Sequence, residues 1–157
     1  MDPIALFQQH FYSLSPPSII SVPGRVNLIG EHIDYHNLPV LPMAIQRHIR
    51  IAFRPRKDRR IRAVSRQFGS REFEWNGPLE PSAAGDWVNY VKAAAQAIDG
   101  KWKTSVGIDA AVASDLPAAA GLSSSSALLT AFTLALLAAN RIRASFEELM
   151  EVLPEGE

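Results

Sequence analysis

Leu116-Pro117-Ala118-Ala119-Ala120-Gly121-Leu122-Ser123-Ser124-Ser125-Ser126-Ala127 joins two segments of different periodicity. Before it, residues 106–112 alternate Val106, Ile108, Ala110 and Val112 with Gly107, Asp109 and Ala111, the period of two of a half-buried strand. After it, residues 123–140 are small and apolar. They predict a buried helix, with Ala127, Leu128, Leu134 and Leu137 against a sheet. A helix that begins at such a loop presents unpaired backbone N–H groups and the positive end of its macrodipole. Small side chains let a phosphate approach those donors, the serine hydroxyls add more, and one of them can sit on a Mg²⁺ ion. This is a phosphate cradle built without a Walker lysine. The other reading is an ordinary core helix capped by serine.

Outward from that stretch, the chain reads as one mixed domain. Residues 2–12 carry Ile4, Ala5, Phe7 and Phe11 at the spacing of a short amphipathic helix, closed by Pro16 and Pro17. Residues 18–22 are a short β-prone run leading into Pro23 and Gly24. Residues 49–53, 61–64 and 72–75 read as three strands with charged faces, with turns at 56–59 and 68–70. Asp86 is placed to cap a helix running to about Ile98, with Trp87, Tyr90, Val91 and Ala94 on one stripe and Gly100 as its stop. Ser145 and Glu148 form a capping-box pattern ahead of a last helix over 146–153. There is no internal repeat. Strands and helices in this mixture give an α+β or α/β domain over 1–157.

Bulk properties narrow the function classes. The 157 residues are 47% apolar and 20% charged, with 16 basic and 16 acidic side chains. That balance is the one a globular domain shows, and zero net charge argues against a dedicated nucleic-acid or membrane-surface binder. There is no cysteine, which excludes a disulfide framework and thiolate metal sites. The first twelve residues lack the basic start and apolar run of a signal peptide, and the apolar segment 127–139 is too short to span a bilayer, so the cytoplasm is the expected location. Charge is uneven along the chain. Residues 47–62 hold eight Lys or Arg and one Asp, and 147–157 hold five Glu and no base. The first run reads as a solvated basic hairpin. As an RNA- or phosphate-binding arm it lacks interleaved aromatics.

Pro23-Gly24-Arg25-Val26-Asn27-Leu28-Ile29-Gly30-Glu31-His32-Ile33-Asp34-Tyr35 is the most unusual segment. Carboxylates accept hydrogen bonds from paired sugar hydroxyls, and a guanidinium stabilises charge on a transferring phosphoryl group. His32, Asp34 and His36 alternate, so on a strand they share one face as candidate metal ligands. A structural salt-bridge cluster is the third reading.

This segment, with Val40-Leu41-Pro42 after it, resembles the galactokinase signature. Gly121-Leu122-Ser123-Ser124-Ser125 resembles the second motif of the GHMP kinases (galactokinase, homoserine kinase, mevalonate kinase, phosphomevalonate kinase), and Asp86-Trp87-Val88-Asn89-Tyr90-Val91 resembles a further galactokinase segment. The resemblance implies the GHMP kinase N-terminal domain, of the ribosomal protein S5 domain 2-like type, with a mixed sheet packed with helices. It implies ATP-dependent, Mg²⁺-assisted phosphorylation of a galactose-like sugar at its 1-hydroxyl. Carried over by position, Glu31, His32, Asp34 and Tyr35 would bind the sugar and Arg25 would stabilise the transition state. Ala119, Ala120, Gly121, Leu122, Ser123, Ser124 and Ser125 would wrap the ATP phosphates. Ser125 and Glu157 would hold Mg²⁺, with Glu155 competing for the second place. The family's catalytic aspartate lies beyond the second motif, and no aspartate follows Asp115 here, so the chain is expected to be incomplete and inactive without the C-terminal domain as its intramolecular partner. Ile33 stands where threonine is usual and is shared with the N-acetylgalactosamine kinase branch. A glycine usual near Leu38 is absent, and Ala119 replaces a glycine of the phosphate loop. The rival classes are a non-catalytic sugar and ATP sensor, and a structural module without a ligand.

Overall fold

In the computed structural model, residues 2–12, 15–30, 38–117 and 122–153 are described. They form α1 (Pro3–His10), β1 (Ser18–Ile29), β2 (Leu41–Pro55), β3 (Arg60–Ser65), β4 (Gly69–Glu74), α2 (Val88–Lys101), β5 (Ile108–Ser114), α3 (Ser124–Ala139) and α4 (Phe146–Val152). Among the described residues the strands make one sheet in the order β1-β2-β5-β3-β4. Neighbours run antiparallel except β3 and β5, which are parallel. The architecture is the α+β class expected, with a mixed sheet between helices.

Local sequence explains most of the elements. Asp2 accepts the Ile4 N–H at 2.9 Å and Pro3 opens α1, where its missing N–H costs nothing. Ser145 and Glu148 make both halves of the capping box at α4. β5 is the central strand, and it is buried on both faces rather than on one. Its Ile108, Ala110 and Val112 pack towards α2 and α3 with Ile51, Phe53 and Ile61. The small residues between them form the other face, where Ala111, Ala52 and Val64 lie under Leu6 and Phe7 of α1 and Phe11 at its C-cap. Alanine at the centre of that row lets the short helix sit close to the sheet.

Several expectations are corrected. β1 does not stop at Val22 but continues through Arg25 to Ile29, and β2 starts at Leu41 instead of Ile49. The two pair across that extension, Arg25 opposite Ala44 and Val26 opposite Met43. The extension mixes apolar and polar residues without a period of two, which hid it; β1 is an edge strand, and Leu28, Ile29, Leu41 and Met43 are exposed there. Pro23 is tolerated there beside a register shift between Pro23 and Arg25. The second turn falls at 66–68, so β4 begins at Gly69, and Trp75 lies beyond its end, fully buried. α2 runs past Gly100 to Lys101. Leu134 is half-buried, whereas Ala127, Leu128 and Leu137 are buried, because the core stripe of α3 runs through 128, 132, 135, 136 and 139.

The basic run is not a hairpin, because β5 lies between β2 and β3. Five of its eight cations are ion-paired: Arg50 with Asp115, Arg56 with Asp58 and Asp109, Arg59 with Asp99, Arg60 with Glu72 and Glu74, and Arg62 with Asp109. Asp109, on the central strand, takes Arg56 Nη1 at 2.8 Å and Arg62 Nε at 2.7 Å. Burial pushes its carboxyl up, but the hydrogen bonds from Arg62 and Arg56 outweigh this and hold it below the usual carboxylate range. Among the described residues no helix is long and apolar enough to cross a membrane.

Two stability outcomes follow. Leu136, fully buried, should cost about 2–5 kcal/mol on replacement by alanine. Leu134→Ala should cost under about 1 kcal/mol, and equal losses in denaturant melts would contradict the orientation of α3. Asp109→Asn leaves two guanidinium groups short of a partner and should cost about 1–3 kcal/mol at neutral pH. Because the folded pKa lies below the unfolded one, this contribution is full above about pH 4 and is lost as pH falls through the folded value. Melts from pH 3 to 8 should therefore show the mutant and native proteins converging only at the acid end; a gap that widens there would contradict the pairing.

Candidate functional site

β5 delivers the chain to the start of the glycine-serine loop, and β1 lies against its end. The loop's first residues are fixed in place. The Asp115 N–H donates to the His48 carbonyl at 3.2 Å, the Asp115 carboxylate accepts the His48 N–H and Arg50 Nη1, and the Leu116 N–H donates to Ser114 Oγ at 3.1 Å. The His48 N–H, with Arg50 adding to it, holds the Asp115 carboxyl below its ordinary range. At the far end of the loop, the Arg25 N–H donates to the Leu122 carbonyl at 3.3 Å. Gly24 makes room for this contact: a Cβ there would lie 2.4 Å from Leu116 Cδ2 and 3.1 Å from the Leu122 oxygen.

Arg25 also reaches the loop through its side chain. Nε donates to Ser123 Oγ at 3.1 Å and Nη2 to the same oxygen at 2.7 Å, a contact between residues 98 positions apart. Ser123 precedes α3 but does not cap it with its side chain. Its backbone is left-handed, φ 52° and ψ 43°, a conformation a serine seldom adopts. A capping serine needs extended backbone angles to aim its oxygen at the first-turn N–H groups. Here the oxygen faces Arg25 instead, so the reading of an ordinary serine-capped helix is replaced. Ser124 and Ser125 form the half-buried first turn of α3.

Two cavities flank this junction. One, of about 210 Å³, is lined by Ser65, Phe68, Trp87, Tyr90, Ser114 and Ser124, among others. Its wall is set by Asp86, which takes the Val88 N–H at 3.1 Å and Arg71 Nε at 2.9 Å. The Val88 N–H first, and then Arg71, hold the Asp86 carboxyl below its usual range. Trp87 Nε1 donates to the Phe68 carbonyl at 3.3 Å, which fixes the indole. Asp86 thus stands one residue ahead of the N-cap position, Trp87, and does the capping from there. The second cavity, of about 440 Å³, is a groove between β1, α3 and α4 that includes Arg25, Ser123, Ser126 and Thr130.

Of the residues singled out in the sequence, Arg25, Leu122, Ser123, Ser124 and Ser125 come together here. Glu31, His32, Asp34, Tyr35, Ala119, Ala120, Gly121 and Glu157, with the alternatives His36 and Glu155, lie outside the described residues. Among the described residues no group of three His, Asp or Glu side chains could hold a metal ion. Ser65, Phe68 and Ser114 were not legible as site residues. They come from separate segments; of the cavity's lining, Trp87 and Tyr90, within the 86–91 segment, and Ser124 carried a signal.

Comparison with known proteins bears on the family and the fold. The family described as Galactokinase galactose-binding signature matches residues 5–55, and the family GHMP kinases N terminal domain matches residues 89–157. A galactokinase of Roseiflexus sp. (strain RS-1) is 41% identical over 91% of this chain and 36% of its own length. A galactokinase of Chloroflexus aurantiacus is 37% identical over 98% of this chain and 39% of its own. The crystal structure of Lactococcus lactis galactokinase complexed with galactose matches with a TM-score of 0.90 at 27% identity, over 98% of this chain and 40% of that one. Methanococcus jannaschii mevalonate kinase shares the fold, with a TM-score of 0.78 at 21% identity over 92% of this chain and 47% of that one. The chain spans a little over a third of the length of the curated relatives it matches. With both family signatures in order along the sequence, and with the fold they require, the chain belongs to the galactokinase branch of the GHMP kinase superfamily.

Proposed function

We propose that the protein containing this chain transfers a phosphoryl group from ATP to a galactose-like sugar, and that residues 1–157 supply the sugar signature and the phosphate loop. The observation that carries this reading is the contact of Arg25 with Ser123. It puts a guanidinium from the sugar signature at the start of the helix that would receive the phosphates. Phosphoryl transfer requires mainly this kind of positioning and charge neutralisation.

The described residues fit a nucleotide. The cavity walled by Phe68, Trp87 and Tyr90 offers flat apolar surface for a base, and Ser124 belongs both to that cavity and to the first turn of α3. A nucleotide lying between them would place its phosphates on the N–H groups of the 119–125 loop and beside Arg25. Glu31, His32, Asp34 and Tyr35 would hold the sugar hydroxyls. Ser125 and Glu157, or Glu155 in its stead, would hold Mg²⁺, which when bound supplies charge neutralisation on the phosphates. The proton acceptor for the sugar hydroxyl and the rest of the cleft would come from residues outside this chain. Ile33 favours N-acetylgalactosamine as the second candidate sugar.

In the full-length protein, ADP release should depend on galactose or, in the second case, on N-acetylgalactosamine. ATP and sugar binding without turnover would make the protein a sensor. Arg25→Ala should lower kcat by about 10²–10³ with little change in sugar KM, since its charge is needed most in the transition state. Steady-state kinetics with a thermal melt of the same variant decides. An unchanged kcat with a large fall in Tm would make Arg25 a structural residue only.

A further inference from the structure

We infer that the Ser123 hydroxyl is a positioning residue: it holds the Arg25 guanidinium at the entry of α3, so that the sugar signature and the phosphate loop act as one unit. The inference rests on the phosphotransfer reading above for its consequence in catalysis, but the pairing itself stands on geometry alone.

Three observations converge on it. The first is that one hydroxyl oxygen receives two donors of the same guanidinium, Nε at 3.1 Å and Nη2 at 2.7 Å. Two bonds to one atom restrict the guanidinium more than one would, fixing both its distance and the direction of its fork. The second is the left-handed backbone of Ser123. That conformation is unfavourable for any residue with a Cβ and would be relieved by glycine. Serine is placed there in spite of it, and its oxygen is not used to cap the helix. The strained backbone is what turns the hydroxyl away from the α3 axis and towards β1. The third is that the main chains are joined beside it, Arg25 N–H to Leu122 carbonyl, over the gap that Gly24 leaves. The backbone bond holds the two segments together, and the side-chain pair fixes what the guanidinium points at. Arg25 is exposed, and among the described residues it pairs with no carboxylate; the side chain there that orients it is Ser123. An acceptor without charge suits this task. A carboxylate in the same place would neutralise the guanidinium, whereas a hydroxyl directs it and leaves its charge available.

The test uses Ser123→Gly, Ser123→Asn and Arg25→Ala in the full-length protein, singly, and Ser123→Gly combined with Arg25→Ala. Glycine suits the left-handed backbone and lacks the hydroxyl, so Tm should hold or rise while kcat falls about tenfold or more. Asparagine tolerates the same backbone and restores an acceptor oxygen, so it should recover part of the loss. If Ser123 works through Arg25, the double variant should have the kcat of Arg25→Ala within about twofold. If the hydroxyl bound phosphate by itself, Ser123→Gly would raise ATP KM and its effect on kcat would multiply with that of Arg25→Ala; either result overturns the inference. A second readout does not need turnover. With ¹⁵N-labelled arginine, the Arg25 Nε–H signal, assigned by its absence in Arg25→Ala, should exchange slowly with solvent in the native protein and in Ser123→Asn, and fast in Ser123→Gly. Equal exchange in native and Ser123→Gly proteins overturns the pairing. A native protein with slow exchange and no turnover would keep the pairing and remove the kinase reading.

Discussion

The fold turns on a backbone crossing at Gly107. Its N–H donates to the Asp58 carbonyl at 2.7 Å, and its own carbonyl accepts the Arg56 N–H at 2.9 Å. A Cβ there would stand 2.0 Å from the Arg60 carbonyl oxygen and 2.6 Å from its carbon, so only glycine fits. Through this gap β5 enters between β2 and β3, which would otherwise pair as a hairpin. Everything in the site depends on that insertion. It makes β5 the central strand, and it carries the chain from Ser114 to the loop that meets β1. The charges at the crossing are matched to it: Asp109, at the buried start of β5, is held between Arg56 and Arg62. A carboxylate so placed would destabilise the strand without those partners.

From the insertion, the site is assembled by contacts that are individually weak. Gly24 lets β1 approach the loop, Ser114 and Asp115 fix where the loop leaves, and the strained backbone of Ser123 fixes where its hydroxyl points. The cavity behind α3 is built the same way, with Asp86 ordering the start of α2 and the Phe68 carbonyl holding Trp87. Its rigidity comes from hydrogen bonds to backbone groups, which leave the aromatic faces open for a ligand. The chain therefore presents a cavity of about 210 Å³ at Ser124, next to the Ser123 hydroxyl that holds Arg25.

How much of this could be read from sequence depended on how local the signal was. The α4 capping box and the apolar body of α3 are written in consecutive residues, and both were legible. Gly24 and Arg25 were singled out because the polar segment around them is unusual, and Ser123–Ser125 because they open a helix of small residues; the structure brings Arg25 and Ser123 into contact. The long reach of β1 and β2 was not, because the extension pairs only with itself and is mostly exposed, so its residues carry no alternation of buried and exposed positions. β5 was read as half-buried because Asp109 suggested a wet face, and the arginines that pair with it come from other strands. Leu134 was placed in the core because α3 is apolar nearly all round, which leaves its orientation undetermined by pattern. The base-sized cavity was hidden for a related reason: Ser65, Phe68, Trp87 and Ser114 meet only through the sheet order.

In the proposed reading the sugar signature and the glycine-serine loop form one phosphotransfer site joined at Arg25 and Ser123. The most direct measurement is a crystal structure of the full-length protein with galactose and a non-hydrolysable ATP analogue. The base should lie against Trp87 and Tyr90, the phosphates on the N-terminus of α3, and Arg25 within hydrogen-bond reach of both Ser123 and the terminal phosphate. A nucleotide bound elsewhere, or Arg25 turned away from Ser123 with both ligands in place, would contradict it.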